Sequence, residues 1–284
     1  MTEFISSSSN PLVKQIRALR QRKGRDETGL FLVEGIHHVG EAVEAGWGIE
    51  TLVYAPDQLT SDFARHLLDE QAHLGIRCAA MTTNLFSAIA EKENPQGILA
   101  VLRQRHFGLD DLPLEHFHFG VALVSPQDPG NVGTVLRTLD AVGAEALFLL
   151  EGGVDPYHPS SVRASMGTIF WKPFVQSPFS SFVNWARKNS CQLVGSSAHA
   201  DTDYRTFRRS ADQPTILLLG SEQKGLSQGQ MTACDETLCL PMKGQVSSLN
   251  LAVAAGILMY AIMEQAAIAP LVNHSNGRED PRII

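Results

Sequence analysis

The chain is poor in cysteine, with four thiols in 284 residues, and this scarcity excludes a small disulfide-stabilised scaffold. The four cysteines are Cys78, Cys191, Cys234 and Cys239. They form no CxxC pair, and no group of His and Cys residues has the spacing of metal ligands. We therefore expect no structural metal. Free thiols are typical of a reducing compartment, so we expect a cytoplasmic protein.

Long apolar runs and an excess of positive charge are also missing. The apolar stretch over residues 251–263 is shorter than the ~20 residues needed to span a bilayer, which argues against a membrane protein. A formal net charge of −7 argues against non-specific coating of nucleic acid, although it is compatible with a local basic patch. With 44% hydrophobic residues, the composition is that of a globular protein with one large or two ordinary domains.

The first hundred residues alternate between apolar runs and amphipathic stretches. Apolar runs at 29–34, 49–54, 76–81 and 97–103 predict strands, and the amphipathic stretches between them predict helices. This alternation predicts an α/β domain over residues 1–105. Residues 106–117 mix His, Asp, Gly and Pro without periodicity, which indicates a linker.

A second, larger α/β domain is predicted over residues 118–270, followed by a polar tail at 271–284. Strands are expected at 121–125, 146–150, 192–196, 215–219 and 237–240, and the clearest helix at 131–142. Residues 248–264 predict a helix that is apolar on every side and that must be buried by something else. We predict that this helix joins two copies of the chain in a homodimer.

Three polar, glycine-bearing segments follow apolar strands of the second domain. They occupy residues 126–137, 219–227 and 240–250. Ligands of open α/β sheets bind at the carboxyl ends of the strands, so we expect the three loops to converge on one site. A GxGxxG after the first strand and a GxxxxGK[ST] are both missing, which disfavours an ordinary dinucleotide site and a P-loop.

The three segments resemble the signature motifs of the SpoU (TrmH-like) family, the RNA ribose 2′-O-methyltransferases of the SPOUT class. N-x-G-x-x-x-R is met by Asn131, Gly133 and Arg137, and G-x-E-x-x-G by Gly220, Glu222 and Gly225. P-M-x-G-x-x-x-S-L-N is met by Pro241, Met242, Gly244, Ser248, Leu249 and Asn250. Any one match is weak, but three in order within roughly residues 119–265 form a strong signal. Residues 12–45 resemble, more weakly, the family's ribosomal-protein-like substrate-binding domain.

The resemblance implies a fold, a cofactor and a set of site residues. The fold is α/β, with a knotted parallel-sheet C-terminal SPOUT domain behind a smaller N-terminal α/β domain. The cofactor is S-adenosylmethionine, whose sulfonium is already reactive and needs no metal. The implied catalytic residues are Asn131, Arg137, Ser248 and Asn250. The implied cofactor-binding residues are Gly220, Glu222, Leu240, Met242, Gly244 and Leu249.

The role of Arg137 stays open between two interpretations. The family assigns the arginine at this position to activation of the 2′-hydroxyl. A guanidinium, with a pKa above ~12, is a poor general base at neutral pH. A phosphate clamp that orients the ribose, while another group takes the proton, is equally consistent.

RNA contacts are predicted at two places. Residues 14–25 carry six cations with no acid among them until Asp26, and we predict that Lys14, Arg17 and Arg20 contact phosphates. A solvated helix face is the alternative for this basic run. Residues 162–167 resemble the family's segment between its first two motifs, and we predict RNA contacts from Arg163 and Ser165.

Each site residue also has a purely structural interpretation. Asn131 could cap the helix that it opens, and Ser248 could cap the last helix. Two other functions stay open as well: a non-catalytic RNA-binding or ribosome-assembly factor of the same fold, and an RNA base methyltransferase. The presence of the asparagine, arginine and serine disfavours the first, and the ribose-type pattern disfavours the second. The sequence does not distinguish ribosomal from transfer RNA as the substrate.

Overall fold

Two β-sheets, each packed against helices, organise the chain. The computed structural model describes residues 3–91, 94–210 and 212–266. The predicted tail at 271–284 lies outside the described residues. The predicted α/β class, with a parallel sheet in the C-terminal half, is confirmed.

The first sheet is mixed and is built from five strands. They are β1 (Glu3–Ile5), β2 (Leu30–Glu34), β3 (Ile49–Tyr54), β4 (Arg77–Met81) and β5 (Ile98–Arg103), in the spatial order β1-β4-β3-β5-β2. β5 runs antiparallel to β2 and β3, whereas the other pairs are parallel. The helices are α1 (Pro11–Leu19), α2 (Arg22–Thr28), α3 (Ile36–Glu44), α4 (Asp62–His73) and α5 (Thr83–Ile89). The sequence predicted all of these strands except the three-residue β1.

The basic N-terminal segment forms two helices rather than one. Asn10 caps α1, because its side chain accepts a hydrogen bond from the Leu12 N–H at 2.8 Å. α2 packs closely against the end of α1, since a Cβ atom added at Gly24 would lie 2.3 Å from the carbonyl oxygen of Ala18. The two basic helices therefore pack against each other.

The second sheet is parallel throughout and has seven strands. They are β6 (Phe119–Val124), β7 (Ala146–Leu150), β8 (Phe174–Ser177), β9 (Gln192–Ser196), β10 (Thr202–Asp203), β11 (Thr215–Leu219) and β12 (Glu236–Cys239). Their spatial order is β10-β12-β9-β11-β6-β7-β8. The helices are α6 (Pro129–Ala141), α7 (Pro159–Ala164), α8 (Phe179–Lys188), α9 (Gln228–Thr232) and α10 (Leu251–Ala266). β6 and β11 are adjacent, which brings the loops that follow them together.

The two halves of the chain share a continuous apolar core. The ring centroids of Phe31 and Tyr157 lie 4.5 Å apart, and the indole N–H of Trp47 donates to the carbonyl of Phe170 at 2.9 Å. Arg25 is buried at this junction, and its Nε donates to a carboxylate oxygen of Asp155 at 2.5 Å. The N-terminal helices are thus fixed relative to the second sheet. The domain boundaries at 105 and 118 stay a prediction.

The last helix, α10, buries one face and exposes another. Its inner face contains Ala255, Leu258, Met259 and Ile262, each buried completely. Its outer face exposes Val253 (51%), Ile257 (37%) and Tyr260 (45%), which recur at helical spacing. Within the described part of the chain, no helix is long and apolar enough to cross a membrane.

Candidate active site at the carboxyl edge of the second sheet

The loop after β6 places Asn131 in the first turn of α6. Asp128 caps this helix, because its carboxylate accepts a hydrogen bond from the Asn131 N–H at 3.0 Å. The interpretation of Asn131 as a helix cap is therefore wrong, and its side chain is available for other contacts. Asn131 is 9% exposed, so its amide needs hydrogen-bond partners within the protein.

Glu222, in the loop after β11, supplies one of those partners. Its carboxylate accepts hydrogen bonds from Asn131 Nδ2 at 3.0 Å, from the Gln127 N–H at 3.0 Å and from the Asp128 N–H at 3.3 Å. An ionised carboxylate only accepts, and bonds of this kind are among the stronger ones in proteins. The sequence predicts that Glu222 binds the cofactor. In the structure, both of its carboxylate oxygens accept hydrogen bonds from residues of the first motif.

Asn250, in the third motif, supplies the other partner of Asn131. Its Nδ2 donates to Asn131 Oδ1 at 3.0 Å, while its own Oδ1 accepts from the Ala252 N–H at 2.9 Å and caps α10. The cap of the last helix is thus Asn250 and not Ser248. We call the chain Glu222–Asn131–Asn250 the amide relay; it connects all three sequence motifs. The orientation of the Asn131 side-chain amide is fixed, since only its Nδ2 group can face the Glu222 carboxylate.

A cleft beside the amide relay contains most of the predicted cofactor-binding residues. It has an empty volume of about 1170 Å³, including the part that opens to solvent. Five of the six predicted cofactor residues line it, together with the predicted catalytic Ser248: Gly220, Glu222, Leu240, Met242 and Leu249. Gly244 does not line it. The sequence prediction missed the residues 196–199 at the end of β9, although the rule that ligands bind at carboxyl ends of strands applies to β9 as well.

The residues of this cleft fit S-adenosylmethionine. Leu219, Leu240 and Leu249 offer apolar surface to a flat base, and Ser221 and Ser248 offer hydroxyl groups. The backbone at Gly220 is packed so closely that an added Cβ atom would lie 1.9 Å from the carbonyl carbon of Gly225. Only glycine fits there, so the cleft wall is formed by main chain.

Arg137 lies apart from the amide relay. It is exposed on α6 and makes no hydrogen bond or ion pair with any residue that the structure describes. Six residues along a helix correspond to about 9 Å of rise and to faces about 120° apart, so Arg137 and Asn131 point in different directions. Within one chain the structure joins Asn131 to Asn250, with Ser248 on the cleft wall two residues earlier, but does not bring Arg137 to them.

The glycine of the first motif is needed for packing between helices. A Cβ atom at Gly133 would lie 2.3 Å from the carbonyl oxygen of Ser161 in α7. We expect Gly133→Ala to lower the free energy of unfolding by about 1–3 kcal/mol, because overpacking must push α7 away from α6. Thermal or urea unfolding measures this change.

Gly229→Ala is the matched control for that substitution. Gly229 lies in α9, and nothing is within 4 Å of its added Cβ atom. We expect this variant to be neutral or slightly stabilised, since alanine favours helix over glycine. Equal losses of stability in the two variants would contradict the packing role of Gly133.

The predicted RNA-contacting residues have different surroundings. Lys14 and Arg17 are exposed on α1, and neither has a partner among the described residues. Arg20 forms an ion pair with Glu91 at 3.2 Å, and Arg163 forms another with the same carboxylate at 3.0 Å. Ser165 is fully buried and donates to the Val162 carbonyl at 2.7 Å, so its hydroxyl stabilises α7 and does not face RNA.

Burial makes two of the thiols poor nucleophiles, and the described residues form no metal cluster. Burial raises the pKa of the Cys234 thiol to about 12 and that of Cys191 to about 11, so both thiols stay protonated at neutral pH. Among the residues described, no three His, Cys, Asp or Glu side chains are grouped so that they could hold a metal ion.

Comparison with known proteins agrees with this geometry. The sequence model of the SpoU rRNA Methylase family matches residues 118–260, and that of an MRM3-like substrate binding domain matches residues 10–100. The chain is 37% identical to a 23S rRNA (uridine(2479)-2′-O)-methyltransferase of Streptomyces viridochromogenes, and the match covers 91% of each protein. It is 32% identical to the 23S rRNA (guanosine(2553)-2′-O)-methyltransferase RlmP of Bacillus subtilis, over 90% of this chain and 97% of that protein.

Solved structures share the whole architecture. An AdoMet-bound rRNA methyltransferase from Sinorhizobium meliloti superposes with a TM-score of 0.85 at 34% identity, over 94% of this chain and 99% of that one. Fold and site together define an RNA methyltransferase with a SPOUT-type catalytic domain behind a substrate-binding domain. The chain belongs to the SpoU rRNA Methylase family.

Proposed function

We propose that this protein transfers a methyl group from S-adenosylmethionine to a ribose 2′-hydroxyl in 23S ribosomal RNA. The observation that carries the proposal is the amide relay, which joins Asn131 and Asn250 to Glu222 on the wall of a cleft that fits the cofactor. The substrate follows the two relatives named above, which both methylate a ribose of 23S rRNA and match the chain over its full architecture.

The proposed mechanism is mainly one of positioning. When bound, S-adenosylmethionine supplies an electrophilic methyl group that a ribose oxygen can accept directly. Glu222 orients the Asn131 amide, and Asn131 accepts from Asn250, so the third motif keeps a fixed position against the first. Ser248, two residues before Asn250 and on the cleft wall, is placed to hydrogen-bond the ribose. Arg137 is exposed and has no partner among the described residues, and it serves as a clamp for an RNA phosphate.

Two measurements test the proposed function. Titration calorimetry is expected to detect S-adenosylmethionine binding, and transfer of a labelled methyl group onto 23S rRNA is expected to yield a 2′-O-methylated nucleotide. Binding without transfer to any RNA would favour the non-catalytic factor. A label recovered on a base would favour the base methyltransferase.

The proposal includes a homodimer joined by the outer face of α10. Val253, Ile257 and Tyr260 form an exposed apolar stripe that continues to Leu249, which is 38% exposed. Monomers rarely expose contiguous apolar surface of this kind without a partner for it. Leu249 also lines the cleft, so the interface would adjoin the cofactor site.

We expect Val253→Asp to convert a dimer into a monomer, because it puts a charge in the centre of an apolar contact. Light scattering at micromolar concentration measures the mass. Leu74→Asp is the control, because Leu74 is 76% exposed at the end of α4, away from this stripe. A wild-type monomer under these conditions would contradict the dimer.

The proposal has three further parts. The trefoil knot that the family resemblance implies remains a prediction. Lys14 and Arg17 are proposed to contact RNA phosphates, since both are exposed and unpaired within the described residues. The four cysteines have free thiols, as a reducing compartment maintains, which supports a cytoplasmic location.

A further inference from the structure

The cofactor cleft uses only half of the carboxyl edge of the second sheet. The cleft lies against the ends of β9, β11 and β12, whereas β6, β7 and β8 form the other half. Between the ends of β7 and β8 lies an open depression of about 610 Å³, lined by Leu149, Glu151, Gly152, Gln176, Ser177 and Pro178. Neighbouring strands are about 4.8 Å apart, so this depression lies on the order of 5–10 Å from the start of the first motif.

The chemistry of the depression suits a nucleobase and not a phosphate. Neither lysine nor arginine is among the described residues that line it, and the carboxylate of Glu151 would repel an anion. One oxygen of that carboxylate accepts from the Phe179 N–H at 2.6 Å, which leaves the other oxygen for a ligand. The Gln176 side chain is exposed and has no partner within the described chain, so its amide can both donate and accept.

The backbone connects this depression to the first motif and to the basic helices. Ser125 and Glu151 follow β6 and β7 and have left-handed φ angles of 47° and 59°, which are uncommon for residues other than glycine. The Ser125 hydroxyl donates to the Glu151 carbonyl at 3.2 Å. Arg22 of α2 donates to the Gly153 carbonyl at 3.0 Å, directly beside the depression. RNA held by the cations of α1 and α2 would therefore pass over this loop to reach the first motif.

We propose that the depression between Glu151 and Gln176 binds a nucleobase of the substrate RNA that carries an exocyclic amino group. The proposal rests on the proposed function, and the base belongs to the methylated nucleotide or to its immediate neighbour. The free oxygen of Glu151 accepts from the amino group of cytosine, adenine or guanine, and the Gln176 amide bonds the adjacent edge of the ring. Uracil has no amino group to offer.

Methyl transfer onto altered RNA fragments tests this base site. The fragments contain the nucleotide that the wild-type protein methylates, with each base placed in turn at that position and at its two neighbours. At one of the three positions, we expect wild-type kcat/KM to be about 10-fold or more higher for an amino-bearing base than for uracil. The position identifies whether the target or a neighbour is bound.

Two variants and a control assign the preference to the depression. Gln176→Ala is expected to reduce the preference about 10-fold. Glu151→Gln replaces an acceptor with an amide that can donate, so the preference should disappear or shift toward uracil. Gln213→Ala changes an exposed glutamine just before β11, where the parallel strands begin and not where they end. This variant should keep the wild-type preference.

The outcomes separate this proposal from the function on which it rests. S-adenosylmethionine affinity should be unchanged in all three variants, because neither Glu151 nor Gln176 lines the cofactor cleft. Wild-type transfer with equal rates for all bases, or variants that keep the full preference, would overturn the base site alone. A wild-type protein that methylates no RNA would overturn the proposed function, and the base site with it.

Discussion

Replacing Asn131 by aspartate is expected to lower methyl transfer by about 100- to 1000-fold, a loss typical of removing a pre-organised polar group from an active site. The substitution keeps the shape of the side chain and the oxygen that accepts from Asn250. It replaces the Nδ2 donor by an oxygen 3.0 Å from the Glu222 carboxylate, so a hydrogen bond becomes a repulsion between like charges. Single-turnover transfer to 23S rRNA measures the effect.

A substitution elsewhere on the surface controls for the added negative charge. Asn84→Asp is the control, because Asn84 is exposed in the first turn of α5 and undergoes the same change of charge. Wild-type activity in Asn131→Asp would show that the amide relay is not needed for catalysis.

Replacing Arg137 by alanine is expected to reduce methyl transfer by about 100-fold or more while S-adenosylmethionine affinity stays the same. Arg137 is exposed and unpaired among the described residues, and it lies outside the cofactor cleft, so its loss should disturb neither the fold nor the cofactor. A guanidinium that clamps a phosphate acts on the RNA alone. Calorimetry with the cofactor, together with transfer rates at saturating RNA, separates the two effects.

Arg137→Lys distinguishes the two roles that the sequence left open. A phosphate clamp tolerates lysine in part, because the charge is kept while the bidentate geometry is lost. Lys188→Ala, which removes an exposed cation from the end of α8, is the control for net charge. Unchanged transfer in Arg137→Ala would contradict any role for this residue in the reaction.

The sequence predicted the main strands because they are continuous apolar runs. β7, β9 and β11 match their predicted bounds, and β7 shows the reason most clearly, because its five apolar residues lie between Glu145 and Glu151. β8 was missed because it has four residues, two of them polar, and follows a proline. β1 and β10, with three and two residues, form only because neighbouring strands β4 and β12 offer a free edge. Tertiary pairing, and not local pattern, determines such short strands.

The sequence identified the residues of the candidate site better than it identified their contacts. Asn131, Glu222 and Asn250 were all singled out, but the hydrogen bonds between them span 91 and 119 positions of the chain, which no local pattern encodes. The burial of Ser165 followed from the packing of α7 and could not be predicted from a motif. The cap of α6 was assigned to Asn131 as an alternative, whereas Asp128 three residues earlier forms it.

Mapping of 2′-O-methylated nucleotides in 23S rRNA from cells with and without this protein tests the central claim most directly. We predict that one ribose methylation in 23S rRNA disappears with the protein, returns with the wild-type chain and does not return with Asn131→Asp. An unchanged pattern of ribose methylation in 23S rRNA, or the loss of a methyl group from a base, would contradict the account.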